Sequence, residues 1–202
     1  MRLLSVLCLL LVAAAPARPD AAAEPAASTS LAGQLLVAEA ELDDPNFDRT
    51  VVLMLHHDGD GALGLVVNRP YGTAPNDELL RRLGVAGDQP VPGETVIYYG
   101  GPVEPEVGMV VHSAEYARAD TKRITGEIAV TSDPAALADL VRGKGPKRAI
   151  PVLGYAGWGP GQLESELAQG SWFVLPAEAG LVFAPDPATI WDAALARRGI
   201  EL

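Results

Sequence analysis

The chain is expected to fold as an α+β domain, a mixed β-sheet with short helices packed around it. Three observations point there. The sequence breaks into many short apolar runs bounded by turn residues, of strand rather than helix length. Two of them, Val51-Val52-Leu53-Met54-Leu55 and Leu63-Gly64-Leu65-Val66-Val67, are continuous rather than alternating, as in strands covered on both faces. Four helical patterns are scattered irregularly among the strands, which argues against a doubly wound sheet.

Gln34–Ala38, Thr50–His56 and Ala62–Asn68 read as the first three strands. Between the second and third lies Asp58-Gly59-Asp60-Gly61, whose Asp-Gly pairs reach positive φ at little cost and predict a hairpin turn. An EF-hand calcium loop would need more carboxylates and a helix on each side. Asn76–Leu83 is a short helix, with Leu79, Leu80 and Leu83 on one face and Gly84 as its stop. Val96–Tyr99 and Gly108–His112 are strands joined through the Gly100-Gly101-Pro102 turn, and Glu127–Thr131 is a weaker strand. Asp133-Pro134 opens the second helix: Asp caps, Pro fits the first position, and Leu137, Leu140 and Val141 form the stripe that Gly143 ends. Ala149–Tyr155 is a strand that Pro151 marks as an edge or irregular one. A third helix runs over Gly161–Gln169 and stops at Gly170, and Ser171–Leu175 and Leu181–Ala184 are strands. Asp186-Pro187 caps the last helix, which runs to Arg198 before Gly199, with Arg197 and Arg198 complementing its dipole.

The N-terminus is a different kind of sequence. Met1-Arg2, an apolar stretch from Leu3 to Ala15 and the small residues after it are the parts of a secretory signal peptide over residues 1–17, cut after Ala17 or as late as Ala23. Cys8 lies inside it, and the bulky Leu7 before it fits a lipoprotein site poorly. Residues 18–30 read as a flexible linker of Ala, Pro, Ser and Thr, and 31–202 as one domain. The expected location is periplasmic or secreted, or cytoplasmic if translation starts near Leu31.

The 202 residues carry 15 Lys+Arg against 26 Asp+Glu, a net charge of −11, and a single Cys. One thiol makes no internal disulfide and no CxxC site. The acidity opposes binding to a phosphate backbone, and Arg81-Arg82 and Lys144-Lys147-Arg148 are too small for a nucleic-acid footprint. No run is long enough for an ordinary membrane span in the mature chain.

Four segments, in order and spacing, resemble the AlgH/YqgE family of bacterial proteins. They are Ala40–Val52, with Asp43-Asp44-Pro45-Asn46-Phe47; Gly61–Pro70, with Asn68-Arg69-Pro70; Tyr99–Val103 with Val111-His112-Ser113; and Gly154–Leu167, beginning Gly154-Tyr155-Ala156-Gly157-Trp158-Gly159. The resemblance implies a branched, partly barrel-like mixed sheet surrounded by helices. It implies no settled activity, although family members are often labelled transcriptional regulators. His57 and His112 match positions where the family has His, and His56 does not.

The candidate ligand-binding residues come from these segments. Asp43, Asp44 and Asn46 form either a small acidic cup or plain turn chemistry, with Asp44 or Asp48 paired to Arg49. His57 and His112, each after an apolar strand, hold a metal or act as acid and base together with Asp58 if their strand ends meet, and otherwise cap those ends. Ser113 beside His112 invites serine chemistry, but strand neighbours point to opposite faces and there is no G-x-S-x-G elbow. Asn68 closes a strand, and Arg69 suits either an anionic ligand or an internal carboxylate. Tyr155 and Trp158 belong to the glycine-rich stretch Gly154–Gly161, read as a loop between strand and helix, either a packed corner or a ligand site, and neither a Walker loop nor a G-x-G-x-x-G turn; Gln162 and Glu164 lie in the first turn of the helix that follows.

The expected function is that of an exported, non-enzymatic binding or regulatory protein, with a protein or small-molecule partner, no nucleic acid, no cofactor and no metal. The alternatives are an uncharacterised enzyme using His57 and His112, and a transcriptional regulator, which the acidity and the signal peptide disfavour.

Overall fold

The computed structural model describes residues 30–85 and 89–198. The expected signal peptide with Cys8, the expected linker through residue 29 and Gly199 lie outside the described residues. In chain order the elements are β1 (Gln34–Ala38), β2 (Val51–Asp58), β3 (Gly61–Val66), β4 (Pro70–Pro75), α1 (Asn76–Arg82), β5 (Glu94–Tyr99), β6 (Val103–Ser113), β7 (Lys122–Arg123), β8 (Ile128–Thr131), α2 (Pro134–Val141), β9 (Ala149–Trp158), α3 (Gln162–Ala168), β10 (Trp172–Pro176), α4 (Ala179–Val182), a 3-10 turn (Pro187–Thr189) and α5 (Ile190–Leu195).

The strands form one curled sheet in the order β10-β1-β2-β3-β9-β6-β8-β7. The β4–β5 pair branches from it, because β5 joins β9 in parallel while the other pairings are antiparallel. The curl nearly closes: on β7 the Lys122 ammonium donates to the Leu55 carbonyl of β2 at 2.9 Å. Inside the curl lie Leu35, Leu53, Leu65, Val111, Val130 and Val152, covered by Leu181, Val182, Ile190 and Trp191 from α4 and α5. Outside it, Leu36, Val52, Met54, Val66 and Ala156 pack with Trp158, Leu163 and Trp172. β1, β2 and β3 are thus buried on both faces, which is why their apolar runs do not alternate.

Two strands change face part-way. In β2 the pairing with β3 jumps from Met54–Gly64 to His56–Leu63, a bulge that lets one extra residue through. Leu53 points inward before it, Leu55, the extra residue, joins the same inner cluster, and beyond it His57 pairs with Ala62 of the outer cluster. In β9, Ile150 and Val152 face inward while Ala156 and Trp158 face outward, with Gly154 at φ +73° between them. These switches carry His57 and Trp158 onto the same outer surface.

The structure corrects several sequence expectations. β9 is the hub of the sheet, an irregular strand rather than an edge; Pro151 is tolerated because the ladder to β5 begins only at Val152, so one flank is open at the proline. Leu181–Ala184 is not a strand: Leu181 and Val182 belong to the short helix α4, and a four-residue apolar run carries no period that separates the two. The Gly154–Trp158 stretch is not a loop, since β9 continues through Trp158. β4, with two prolines and a glycine, and the two-residue β7 have no strand signature. On α2 the fully buried positions are Ala136 and Ala138 rather than the expected leucine stripe.

Candidate functional site

The first two motifs hold each other. Asn68 accepts from the Val51 amide at 2.8 Å and donates to the Arg49 carbonyl at 2.9 Å. The Arg69 guanidinium donates to the carbonyls of Pro45 (3.1 Å), Asn46 (2.9 Å) and Asp48 (2.7 Å), so its fork grips backbone instead of the expected carboxylate. Asp44 accepts from the Asn46 amide at 2.8 Å, an Asx-type turn, and Asn46 in turn accepts from the Tyr99 hydroxyl at 3.5 Å. Arg49 pairs not with Asp44 or Asp48 but with Asp192 on α5, at 2.9 Å, and stacks over Trp191. Asp43 is exposed on the same loop.

The third and fourth motifs pack backbone on backbone. A Cβ on Gly101 would stand 2.1 Å from the Tyr155 carbonyl carbon, and one on Gly154 would stand 2.4 Å from the Gly101 oxygen. The glycines therefore let the β5–β6 crossing lie directly on β9, and the stretch is a packing device rather than a phosphate cradle. The Tyr155 hydroxyl donates to Glu104 at 3.3 Å.

Phe47 connects this region to α3. Its ring lies 6.2 Å from Trp158 and 5.4 Å from Trp172, and the two indoles are 6.0 Å apart. Both indole N–H groups donate to one oxygen of Glu166, Trp158 at 2.9 Å and Trp172 at 2.8 Å, while Gln162 donates to its other oxygen at 2.9 Å. Sequence reasoning passed over Glu166; a carboxylate on a short helix flanked by two tryptophans was the available signal. Gln162 also accepts from the Gly159 amide at 3.1 Å.

His57 is buried in the same face. Its Nδ1 accepts from the Leu31 amide at 3.1 Å, which places the ring proton on Nε2, where it donates to Glu164 at 2.9 Å. The Glu164 carboxyl is held below its usual range, first by its own backbone N–H and then by His57. The ring thus ties the entry of the domain to α3.

His112 lies elsewhere. His57 shares a row with Ala62 and Trp158 at one end of the ten-residue β9, and His112 with Ala149 at the other, roughly 30 Å of strand away. The shared His57–His112 site is therefore ruled out, since one metal ion spans about 4 Å between two ligands. Among the described residues no group of three His, Cys, Asp or Glu side chains is placed to hold a metal. His112 is fully buried; its Nδ1–H donates to the Ser113 carbonyl at 3.1 Å, and its Nε2 has no partner among the described residues. The Ser113 hydroxyl donates to Glu115 at 2.8 Å and accepts from the Arg148 amide at 3.1 Å, which ties the β6 end to the start of β9; His112 does not reach its oxygen.

A large concavity lies apart from these motifs. Between α1 and α2, over β5, β6 and β9, is a groove of about 620 Å³. Leu79 and Leu83 form one wall, Leu137 the other, and Ile97, Gly108 and Leu153 the floor. The leucines were legible as helix faces, but that they stay half-buried and face each other across a gap was not.

The AlgH-like family model matches residues 35–202. The chain belongs to the AlgH-like family. A UPF0301 protein of Afipia carboxidovorans is 43% identical over 182 residues, which cover 87% of each chain. A UPF0301 protein of Methylococcus capsulatus is 38% identical over 92% of this chain and all of its own. The solution structure of the AlgH protein from Pseudomonas aeruginosa superposes with a TM-score of 0.72 at 35% identity, over 88% of this chain and 94% of that one. The family's biochemical function is unknown. In this AlgH-like chain the four motif segments are each other's packing partners: Asn68-Arg69 grips the Asp43–Arg49 loop, Gly100-Gly101 lies on Gly154-Tyr155, and His57 meets Glu164.

Proposed function

We propose that this AlgH-like protein is an exported, non-enzymatic binding or regulatory protein that takes an apolar small molecule in the α1–α2 groove. One observation carries the ligand site: the groove is lined mainly by apolar side chains, with Arg82, Glu106 and Asp133 as its charged members, and at about 620 Å³ it falls within the few hundred to a thousand Å³ usual for small-molecule sites. The non-enzymatic reading is supported by the separation of the two histidines and by the internal use of His57, Glu164, Ser113 and Arg69. Export is supported by the signal-peptide pattern of residues 1–17, and with the acidity it speaks against DNA as partner. No helix among the described residues is long and apolar enough to cross a membrane.

Gly108 provides the test. A Cβ there would meet only Leu153 Cδ2, at 3.7 Å, so Gly108→Leu sends a side chain into the groove without a backbone clash. The neutral fluorophore N-phenyl-1-naphthylamine is expected to bind the unaltered protein and to bind Gly108→Leu at least about tenfold more weakly, a loss of ~1.4 kcal/mol. The thermal midpoint should be unchanged, and equal binding by both proteins would sink the groove assignment. For export, cell fractionation with N-terminal sequencing should find a periplasmic or secreted chain starting between residues 18 and 24. An intact cytoplasmic chain would refute it.

A further inference from the structure

A second, smaller cavity of about 270 Å³ opens where the start of β9 and Tyr98 of β5 face the α4–α5 segment. Its apolar lining includes Val67, Ile150 and Ile190, and Tyr98, Arg148 and Phe183 also line it, with Lys147 beside Arg148. The chain has 26 acids for 15 Lys and Arg, and Arg49, Arg82, Arg118, Arg197 and Arg198 each pair with a carboxylate. Among the described residues Lys147 and Arg148 make no salt bridge, as is also true of Arg69, Arg81, Lys122, Arg123, Arg142 and Lys144; of these, Lys147 and Arg148 are the two that line this cavity. Glu115 accepts from the Lys147 backbone amide and from the Ser113 hydroxyl, both at 2.8 Å, and its carboxyl also feels the Lys147 charge.

Arg148 is held in place but not consumed. Its guanidinium lies 4.9 Å from the centre of the Phe183 ring, and a single long contact of 3.4 Å reaches the Ala179 carbonyl. Ser113 fixes its backbone on both sides: the Ser113 amide donates to the Arg148 carbonyl at 3.0 Å, and the Arg148 amide donates to Ser113 Oγ at 3.1 Å. A planar fork positioned this way, with most of its donors open, suits a carboxylate or phosphate. Across the pocket, burial alone raises the Tyr98 hydroxyl above its usual range, so it stays protonated and able to donate.

We propose that this pocket binds a small anion through its carboxylate or phosphate group, with Arg148 as the forked donor and the Tyr98 hydroxyl as the second. Ser113 acts as a positioning residue for Arg148. The volume admits a small metabolite-sized anion, and the site is independent of the α1–α2 groove.

The test is a heteronuclear NMR titration of the ¹⁵N-labelled protein with inorganic phosphate and, separately, with acetate, at ionic strength held constant with sodium chloride. The expected result is saturable shifts at Tyr98, Arg148, Ile150 and Phe183. Saturation by phosphate alone assigns a phosphoryl group, by acetate alone a carboxylate, and by neither overturns the proposal. Arg148→Gln should weaken binding about tenfold or more, and Tyr98→Phe by a smaller factor of about three. Arg148→Lys keeps the charge but not the fork, and should fall between Arg148→Gln and the unaltered protein. If Arg148→Gln loses its folded spectrum, the other two variants carry the test, and unchanged affinity in both overturns the site.

Discussion

Replacing Glu166 with alanine removes the one carboxylate that serves two buried indoles and a glutamine. Trp158 and Trp172 are 6% and 4% exposed, and their N–H groups end on the same Glu166 oxygen. A buried donor left unpaired costs about 1–3 kcal/mol, so two of them set an upper range of roughly 2–6 kcal/mol. Glu166 is itself only half-buried, and water reaching the vacated space reduces the loss to about 3 kcal/mol. Glu166→Gln keeps an oxygen for both indoles and gives up the charge and the Gln162 bond, a loss of about 1 kcal/mol. Urea unfolding followed by tryptophan fluorescence measures both, and an unchanged m-value confirms that the denatured state is the same. A loss below about 0.5 kcal/mol in Glu166→Ala would refute the reasoning, because the indoles would then be satisfied without the carboxylate.

Three other outcomes follow from the same contacts. Arg69→Lys replaces a fork that spans three carbonyls with a point donor; the 43–49 loop should exchange its amide hydrogens faster, and stability should fall by about 1–2 kcal/mol. Gly101→Ala drives a methyl group into the Tyr155 backbone and should cost more than about 4 kcal/mol, read as loss of the folded circular-dichroism signal at 37 °C. Asp120 is lowered to about 2, first by the Thr131 hydroxyl and then by that of Ser132. A depressed carboxyl contributes its stability above the unfolded value near 4 and loses it as the pH falls toward 2; solvent screening keeps the amount small. Urea midpoints between pH 5 and pH 2 should therefore fall less steeply in Asp120→Asn than in the unaltered protein.

The elements with regular chemistry were readable in advance. The Asp58–Gly61 hairpin, the Asp133 cap on α2, whose carboxylate accepts from Ala135 at 2.9 Å, and the doubly covered β2 and β3 all stand where turn, cap and run predicted them. What resisted reading was non-local. The bulge at Leu55-His56 and the turn of β9 at Gly154 reverse which residues face inward, and no local period announces them. Pro151 reads as an edge because sequence shows the missing N–H but not which neighbour would have used it. The candidate residues divide in the same way. Asn68, Arg69, Asp44 and Asn46 fall together because their motifs adjoin in space, while His57 and His112 share a residue type and lie at opposite ends of β9. The α1–α2 groove was invisible, because a helix stripe predicts burial and only the packing leaves Leu79 and Leu137 partly uncovered.

These contacts give the motifs a physical meaning. They specify close approaches and backbone clamps that a curled sheet with a three-partner central strand needs, and they leave ligand chemistry to surfaces the motifs only frame. The most direct measurement is the mapping of N-phenyl-1-naphthylamine on the ¹⁵N-labelled protein by amide shift perturbation. The account predicts saturable shifts at Leu79, Ile97, Gly108, Leu137 and Leu153, and none at Asp44, Asn46, His57, Arg69 or Glu164. Shifts confined to that second set, with the groove silent, would contradict it.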